Sequence, residues 1–219
     1  MTEEKRRIHV RGMGQAAQTP DQVVLSLSLT AQNNNYSAAM KIGSQQVEML
    51  REAIVEAGFK ANDLKTTNFN VRAVYENEET KDGNSKRYGK VFVGFECRHD
   101  LKLTFDFDND KLNRALDIIA ANLAQPKISI AFAVKDTAAL NDKILKSAAK
   151  DARRKAKVLC AASGVTLGKL IDINYSWDAA RAQETIVYGE CASVDKNSFD
   201  LQPEDINVSD SVDFLWEIE

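Results

Sequence analysis

Cys97 and His99 are the nearest approach in this chain to a nucleophile and its base. They lie two residues apart in an alternating segment and so project to the same side of a strand, where an imidazole could activate a thiolate for acyl transfer. That chemistry also needs an accessible electropositive pocket and a third group to orient the base. No such group stands at a recognisable spacing, and both residues share the parity of the apolar positions around them. The expectation is therefore a core thiol beside a satisfied, partly buried histidine.

Asp106, Asp108 and Asp110 have the opening spacing of a calcium loop, but Lys111 stands where the loop needs glycine and Asp117 where it needs a bidentate Glu. Helix-capping carboxylates at a strand end are the expectation instead. Gly12-Met13-Gly14-Gln15-Ala16-Ala17 matches the letters of a dinucleotide fingerprint. The pyrophosphate, however, needs a helix to begin there, and Thr19-Pro20-Asp21 and a second strand follow, so the glycines are assigned to a turn or bulge. Gly164 and Gly168-Lys169 resemble a phosphate loop, but the spacing is one residue short, Leu170 replaces the magnesium-binding hydroxyl, and the glycines end a helix where a phosphate site requires a beginning. A cap and turn explain them. Arg153-Arg154-Lys155 with Lys157 is the most basic run and is expected to be the solvated face of a helix. With two histidines, His9 and His99, and no Cys or His cluster, no metal and no cofactor are expected.

The composition bounds the rest. In 219 residues, 44% hydrophobic and 28% charged, there is enough apolar material for a substantial core. The balance of 29 basic against 32 acidic residues leaves no excess to neutralise a phosphate backbone, so nucleic acid is not an expected partner. No apolar run reaches the length of a transmembrane helix. Met1-Thr-Glu-Glu-Lys-Arg-Arg leads straight into Ile8-His-Val without an apolar signal region. The expected location is cytoplasmic for the chain as it stands, and periplasmic or envelope-associated if an export segment has been removed from its front. Cys97, Cys160 and Cys191 make an odd count without a CxxC pair, which fits reduced thiols.

Hydrophobic periodicity supplies the elements. Val23, Leu25, Leu27 and Leu29 alternate with Val24, Ser26, Ser28 and Thr30, the pattern of a strand with one buried face. From Tyr36 to Ala57 the period is helical, with Tyr36, Ala39, Val47, Leu50, Ile54 and Ala57 on one stripe and Gly58 at the cap. Alternation resumes at Phe69, Val71, Ala73 and Tyr75. The polar Glu76–Lys90 segment with Asp82-Gly83 predicts a long hairpin loop, and the run from Val91 to Phe107 a strand long enough to need a bulge near Gly94 or His99. A second helix carries Leu112, Ala115, Leu116, Ile119 and Leu123, closed by Pro126. A further strand holds Ile128, Ile130, Phe132 and Val134. A third helix repeats Ala148, Ala152, Ala156 and Cys160 every four residues, small side chains that allow close packing. Ile171, Ile173, Tyr175 and Trp177, and finally Val212, Phe214, Trp216 and Ile218, are strands. The segment Asp178–Asp205 lacks periodicity except at Thr185–Tyr188. The order β-β-α-β-β-α-β-α-β-(β)-β, with hairpin-joined strands, predicts an α+β fold of mainly antiparallel sheet with three helices on one face. It is expected to form a single domain over 1–219, with a soft boundary near residue 108.

Ile8-His-Val-Arg-Gly12-Met-Gly14 followed by Pro20-Asp21, Gly58 with Asp63-Leu-Lys-Thr66, Gly94-Phe95, the Ala148, Ala152, Ala156 row leading to Gly164 and Leu167-Gly168, Ile173, and the strand from Ile206 together resemble the SIMPL family, also called DUF541 or YggE-like. The resemblance spans nearly the whole chain. It implies an interaction or assembly protein akin to bacterial periplasmic immunogenic and oxidative-stress-related proteins, with ring-like homo-oligomers and no established catalytic residues; a mammalian branch is implicated as an adaptor in kinase signalling. The lack of an export signal departs from the bacterial pattern.

The expected function is thus a non-catalytic, homo-oligomeric interaction or scaffold protein, stress-related by resemblance, with an unidentified protein partner. Val74, Phe92 and Leu215 are apolar residues on otherwise polar strand faces and mark a candidate interface. The alternative is a small-ligand-binding protein or unrecognised enzyme with its site under the 76–90 and 178–205 loops.

Overall fold

A computed structural model describes residues 6–82, 85–175, 187–189 and 200–219. The strands and helices follow the expected order: β1 (Arg7–Gln18), β2 (Gln22–Asn33), α1 (Tyr36–Glu56), a 3-10 turn (Ala61–Asp63), β3 (Leu64–Asp82), β4 (Ser85–Asp106), α2 (Asn109–Ala121), β5 (Lys127–Ala133), α3 (Thr137–Ala162), β6 (Leu167–Asn174), β7 (Val187–Gly189) and β8 (Ile206–Ile218). The fold is α+β, built on two sheets ordered β1-β8-β6 and β3-β4-β2-β5-β7. The chain divides into two compact units, one of residues 1–21, 133–187 and 203–219 and the other of 22–132 and 188–202. The boundary expected near residue 108 falls inside the second unit, because α2 packs against α1 and shares its core.

In the 22–132 unit, β2 and β4 pair antiparallel with Leu25 opposite Leu103 and Leu27 opposite Leu101, so one face of both strands is continuously apolar. Val23, Leu25, Leu27, Leu29, Leu101 and Leu103 are all buried there. Helix α1 lies on β2 and β4. Asn35 caps its start by accepting the Ala38 N–H at 3.1 Å, and beyond its end Gly58 takes φ +99°, the left-handed conformation that a side chain disfavours. Its buried stripe adds Gly43 to the expected residues, whereas Tyr36 is exposed. Asp108 caps α2, accepting the Asp110 and Lys111 N–H groups at 3.0 and 3.2 Å; the acidic triplet thus serves in part as a helix start, as expected. Leu123 corrects the expected stripe: the helix ends at Ala121, Asn122 is extended, and Leu123 is 85% exposed. Val24 is buried as well, although it sits on the polar parity of β2.

The polar 76–90 segment is also corrected. It is no loop: the β3–β4 ladder runs on through Glu76 opposite Val91 to Asp82 opposite Ser85. The segment carries no hydrophobic alternation, which is why its composition reads as loop. The expected bulge stands near Gly94, where Val74 pairs with Gly94 and Tyr75 with Phe92, leaving Val93 out of register; a second irregularity falls in β3 between Thr66 and Asn68.

In the other unit, β1 and β8 pair antiparallel from Arg7 opposite Glu217 to Gln18 opposite Ile206, and α3 lies over β1 and β8. Asp136 caps α3, accepting the Ala139 N–H at 2.8 Å. Ala148, Ala152, Ala156 and Cys160 are buried against Val10, Val212, Phe214 and Trp216 or along the same helix face. Gly12 and Gly14 are neither turn nor bulge but unbroken ladder residues of β1. A Cβ on Gly12 would overlap the Ala148 carbonyl and stand 2.8 Å from the Ala152 methyl; one on Gly14 would overlap the Ile144 carbonyl and stand 2.9 Å from its side chain. The helix therefore approaches the strand at a distance that only glycine allows. Gly164 caps the helix with φ +70°, but Gly168 lies within β6 and forms no turn.

The basic run of α3 is not simply solvated. Asp151 accepts from Lys155 and Arg154, each at 2.7 Å, and from the backbone N–H of Met13 at 2.9 Å, while Lys155 also donates to the Arg11 carbonyl at 3.2 Å. Ser147 accepts the Gln15 N–H at 3.4 Å. These α3 side chains take up backbone groups along β1, the outermost strand of its sheet. Hydrogen bonds from Lys155, Met13 and Arg154 hold the Asp151 carboxyl far below the usual carboxylate range.

Gly12→Ala and Gly14→Ala are each expected to destabilise the protein by at least about 3 kcal/mol, because the obstacle is helix backbone and not a movable side chain; denaturant unfolding beside Gly89→Ala, whose Cβ meets nothing within 4 Å, is the measurement. Asp151→Asn should lower the melting temperature, with the widest gap to wild type above the unfolded carboxyl pKa of about 3.9. The folded pKa is depressed, so the contribution disappears as pH falls through it, and thermal melts in increasingly acidic buffer should show the gap closing.

Candidate interaction surface

The register of β3 on β4 sets Tyr75 directly opposite Phe92, with ring centroids 5.7 Å apart. Phe92 meets Phe95 edge-on at 5.2 Å, and Phe95 meets Tyr36, at the start of α1, at 5.4 Å and 89°. Edge-to-face contacts of this kind hold aromatic rings in fixed orientations. The bulge at Val93 makes the row possible by bringing Phe92 onto the side of Phe95 despite their odd spacing. Gly94 has φ +148°, and a Cβ there would stand 2.8 Å from the Asn33 carbonyl, so the bulge needs glycine. Tyr75, Phe92 and Tyr36 are 57%, 45% and 48% exposed; Val91 and Val93 are exposed too, Val91 on the opposite face beside Glu76. Large aromatic groups gathered in solvent are the feature of this unit that its own core does not explain.

The opposite face of the same strands is polar. Arg72 donates to Glu96 from Nε and Nη2, both at 2.9 Å, and Gln32 donates to Glu96 at 3.0 Å. Asp100 accepts from Ser28 at 2.7 Å, from Arg98 Nε at 2.9 Å and from Asn68 at 3.2 Å. The Gln32 hydrogen bond, followed by Arg72, keeps Glu96 below its ordinary pKa; at Asp100 partial burial pushes upward but is outweighed by Ser28, Arg98 and Asn68. These residues line a shallow trough of about 320 Å³. Its two guanidiniums and two carboxylates satisfy one another, so the trough offers no concentrated charge of either sign.

Of the residues expected to form an interface, Val74 and Phe92 lie in this ribbon, Val74 half-buried and Phe92 exposed. Leu215 belongs to the other unit, half-buried on β8 opposite His9 of β1 and Asp172 of β6. Tyr75 by strand parity and Tyr36 by helical stripe carry the pattern of core positions. Tyr75 is exposed because α1 covers β2 and β4 whereas β3 is the sheet edge, and Tyr36 is the first residue of α1. Phe69 shares that exposure and rests against His99 with ring centres 4.4 Å apart. Trp177 and Cys191 lie outside the described residues.

Cys97 and His99 face α1 at Gly43, where a Cβ would stand 2.8 Å from the Cys97 sulfur. Burial pushes the thiol pKa up, the reverse of what a nucleophile needs. Burial, with Arg51 nearby, lowers the His99 pKa against a smaller upward pull from Asp100, and His99 Nδ1 has no hydrogen-bond partner. Cys97 sits in the core and His99 is half-buried beside it, as expected, but the histidine is not fully satisfied. Among the described residues no three His, Cys, Asp or Glu side chains gather as a metal-binding group, and no helix is long and apolar enough to cross a membrane.

Comparison with known proteins yields one family: residues 8–216 match SIMPL, described as a protein of unknown function (DUF541). The chain is similar to the 26 kDa periplasmic immunogenic protein of Brucella melitensis, with 25% identity over 174 residues that cover 80% of this chain and 68% of that protein. The protein of the same description from Brucella abortus matches with the same identity and coverage.

His99 gives the unit a pH response that can be measured. Its folded pKa lies below the unfolded value of about 6.5, so the unfolded chain binds the proton first and stability falls as pH drops through that value. Thermal melts between pH 7.5 and 5 should show this decline, and His99→Gln should remove that part of it.

Proposed function

The chain belongs to the SIMPL family, and from that premise we propose that it is a non-catalytic interaction or scaffold protein that acts as a homo-oligomer. The observation that carries this reading is the aromatic row Tyr75, Phe92, Phe95 and Tyr36, exposed at all but the half-buried Phe95 and ordered by ring contacts and a glycine-dependent bulge. A preformed aromatic surface loses little side-chain freedom when it is covered, so it suits recognition by burial. The periplasm or cell envelope is the proposed location, favoured by the name of the relatives over the cytoplasmic alternative. The stress-related setting implied by the family resemblance belongs to the same proposal. The alternative of a ligand site under two loops loses one of them, since 76–90 is a strand ribbon almost to its tip, and most of 178–205 lies outside the described residues.

Native mass spectrometry tests the reading. The wild-type chain should give species at multiples of 24.3 kDa at micromolar concentration. Phe92→Asp should weaken assembly by at least about tenfold, roughly 1.4 kcal/mol, with an unchanged circular dichroism spectrum. A wild-type protein that stays monomeric removes the proposal.

A further inference from the structure

The two sheets treat their outer strands differently. Along β1, side chains of α3 take up the Met13 and Gln15 N–H groups. β3 is the outer strand of the five-stranded sheet for all of its 19 residues; β4 holds one side of it, and no described strand takes the other. Open edges are usually blunted by shortness, proline, lysine or inward charge. From Phe69 to Asn77, β3 contains no proline and no lysine, and it exposes Phe69 and Tyr75. Its backbone therefore offers an unprotected row of donors and acceptors beside an apolar surface.

We propose that β3 pairs antiparallel with β3 of a second copy across a two-fold axis at Val74, joining the two five-stranded sheets into one. This rests on the homo-oligomer proposed above and specifies its contact. A two-fold axis perpendicular to the sheet keeps the aromatic sides of both copies on one face, so the axis passes midway between the two copies of one residue, which pairs with itself. Centring on Val74 sets Arg72 of each copy opposite Glu76 of the other, two opposite-charge cross-strand pairs on the polar face. On the other face Ala73 meets Tyr75. Centring on Arg72 or Glu76 sets like charges against themselves, and centring on Tyr75 sets Val74 against Glu76. Arg72 has the capacity for the added partner: its bonds to Glu96 use Nε and Nη2, which leaves Nη1 to donate outward.

Charge reversal and cross-linking test the register. Arg72→Glu and Glu76→Arg should each raise the concentration needed for assembly by at least about tenfold, and the combined R72E/E76R chain should recover much of that loss. Val74→Cys in a Cys191→Ser background should form an inter-chain disulfide under mild oxidation, because residues opposite one another across antiparallel strands have Cα atoms about 4.5–5.5 Å apart, within the span of a disulfide. If the oligomer persists unchanged in both charge variants and the Val74→Cys chains do not cross-link, edge pairing is overturned while the homo-oligomer stands. If the wild-type chain is itself monomeric, both readings fall.

Discussion

Helix α3 lies on β1 at a separation that excludes any side chain at two strand positions. Gly12 and Gly14 meet the carbonyls of Ala148 and Ile144, and the row Ala148, Ala152, Ala156 keeps the facing side of the helix flat. The closeness has consequences beyond packing. It carries Asp151, Ser147 and Lys155 to the backbone of β1, where they satisfy groups that a more distant helix would leave to water. It also places Phe214 and Trp216 of β8, stacked at 5.3 Å, in the same core as the alanines. Large side chains are thus concentrated on β8 because β1 has no room for them.

The 22–132 unit follows a different logic. Its helix is accommodated by Gly43 against Cys97 and by ordinary leucine packing, and α1 is centred on the inner strands. The sheet consequently has three kinds of surface: a buried apolar strip under the helices, a polar face closed by the Arg72–Glu96 and Arg98–Asp100 pairs, and an aromatic fringe where β3 and β4 extend past the helix start. The first two are explained by the folding of the unit. The third is where recognition has physical support, since its rings are oriented by one another and by a bulge that depends on Gly94.

Periodicity and caps made much of this legible in advance. Alternation in β2 and the helical stripes located the buried faces, and Asp108, Gly58 and Gly164 marked helix ends by their local chemistry. The failures share a cause. The parity of Phe69 and Tyr75 identified the side of the sheet they occupy but not that β3 would be its edge, a fact settled by strands distant in sequence. The Glu76–Asp82 arm carries no apolar alternation in its sequence, so pattern gives no sign of its ladder with β4. Leu123 fits the helical period but follows the last helical residue, where period no longer governs direction. Gly12 and Gly14 match the letters of a nucleotide motif, yet their role depends on a helix more than a hundred residues away.

The β1–β8 ladder also sets an order of events during synthesis. Arg11 and Asp213, joined by two 2.8 Å hydrogen bonds, are 202 positions apart, and β8 is the central strand between β1 and β6. Every other described element is made before β8, so β1 has no partner strand until all of them have been synthesised. The unit that begins at Gln22 has most of its elements in one uninterrupted stretch and is free to condense earlier. So high a sequence separation raises the loop-closure cost of the three-stranded sheet above that of the contiguous unit, which places its closure later in folding.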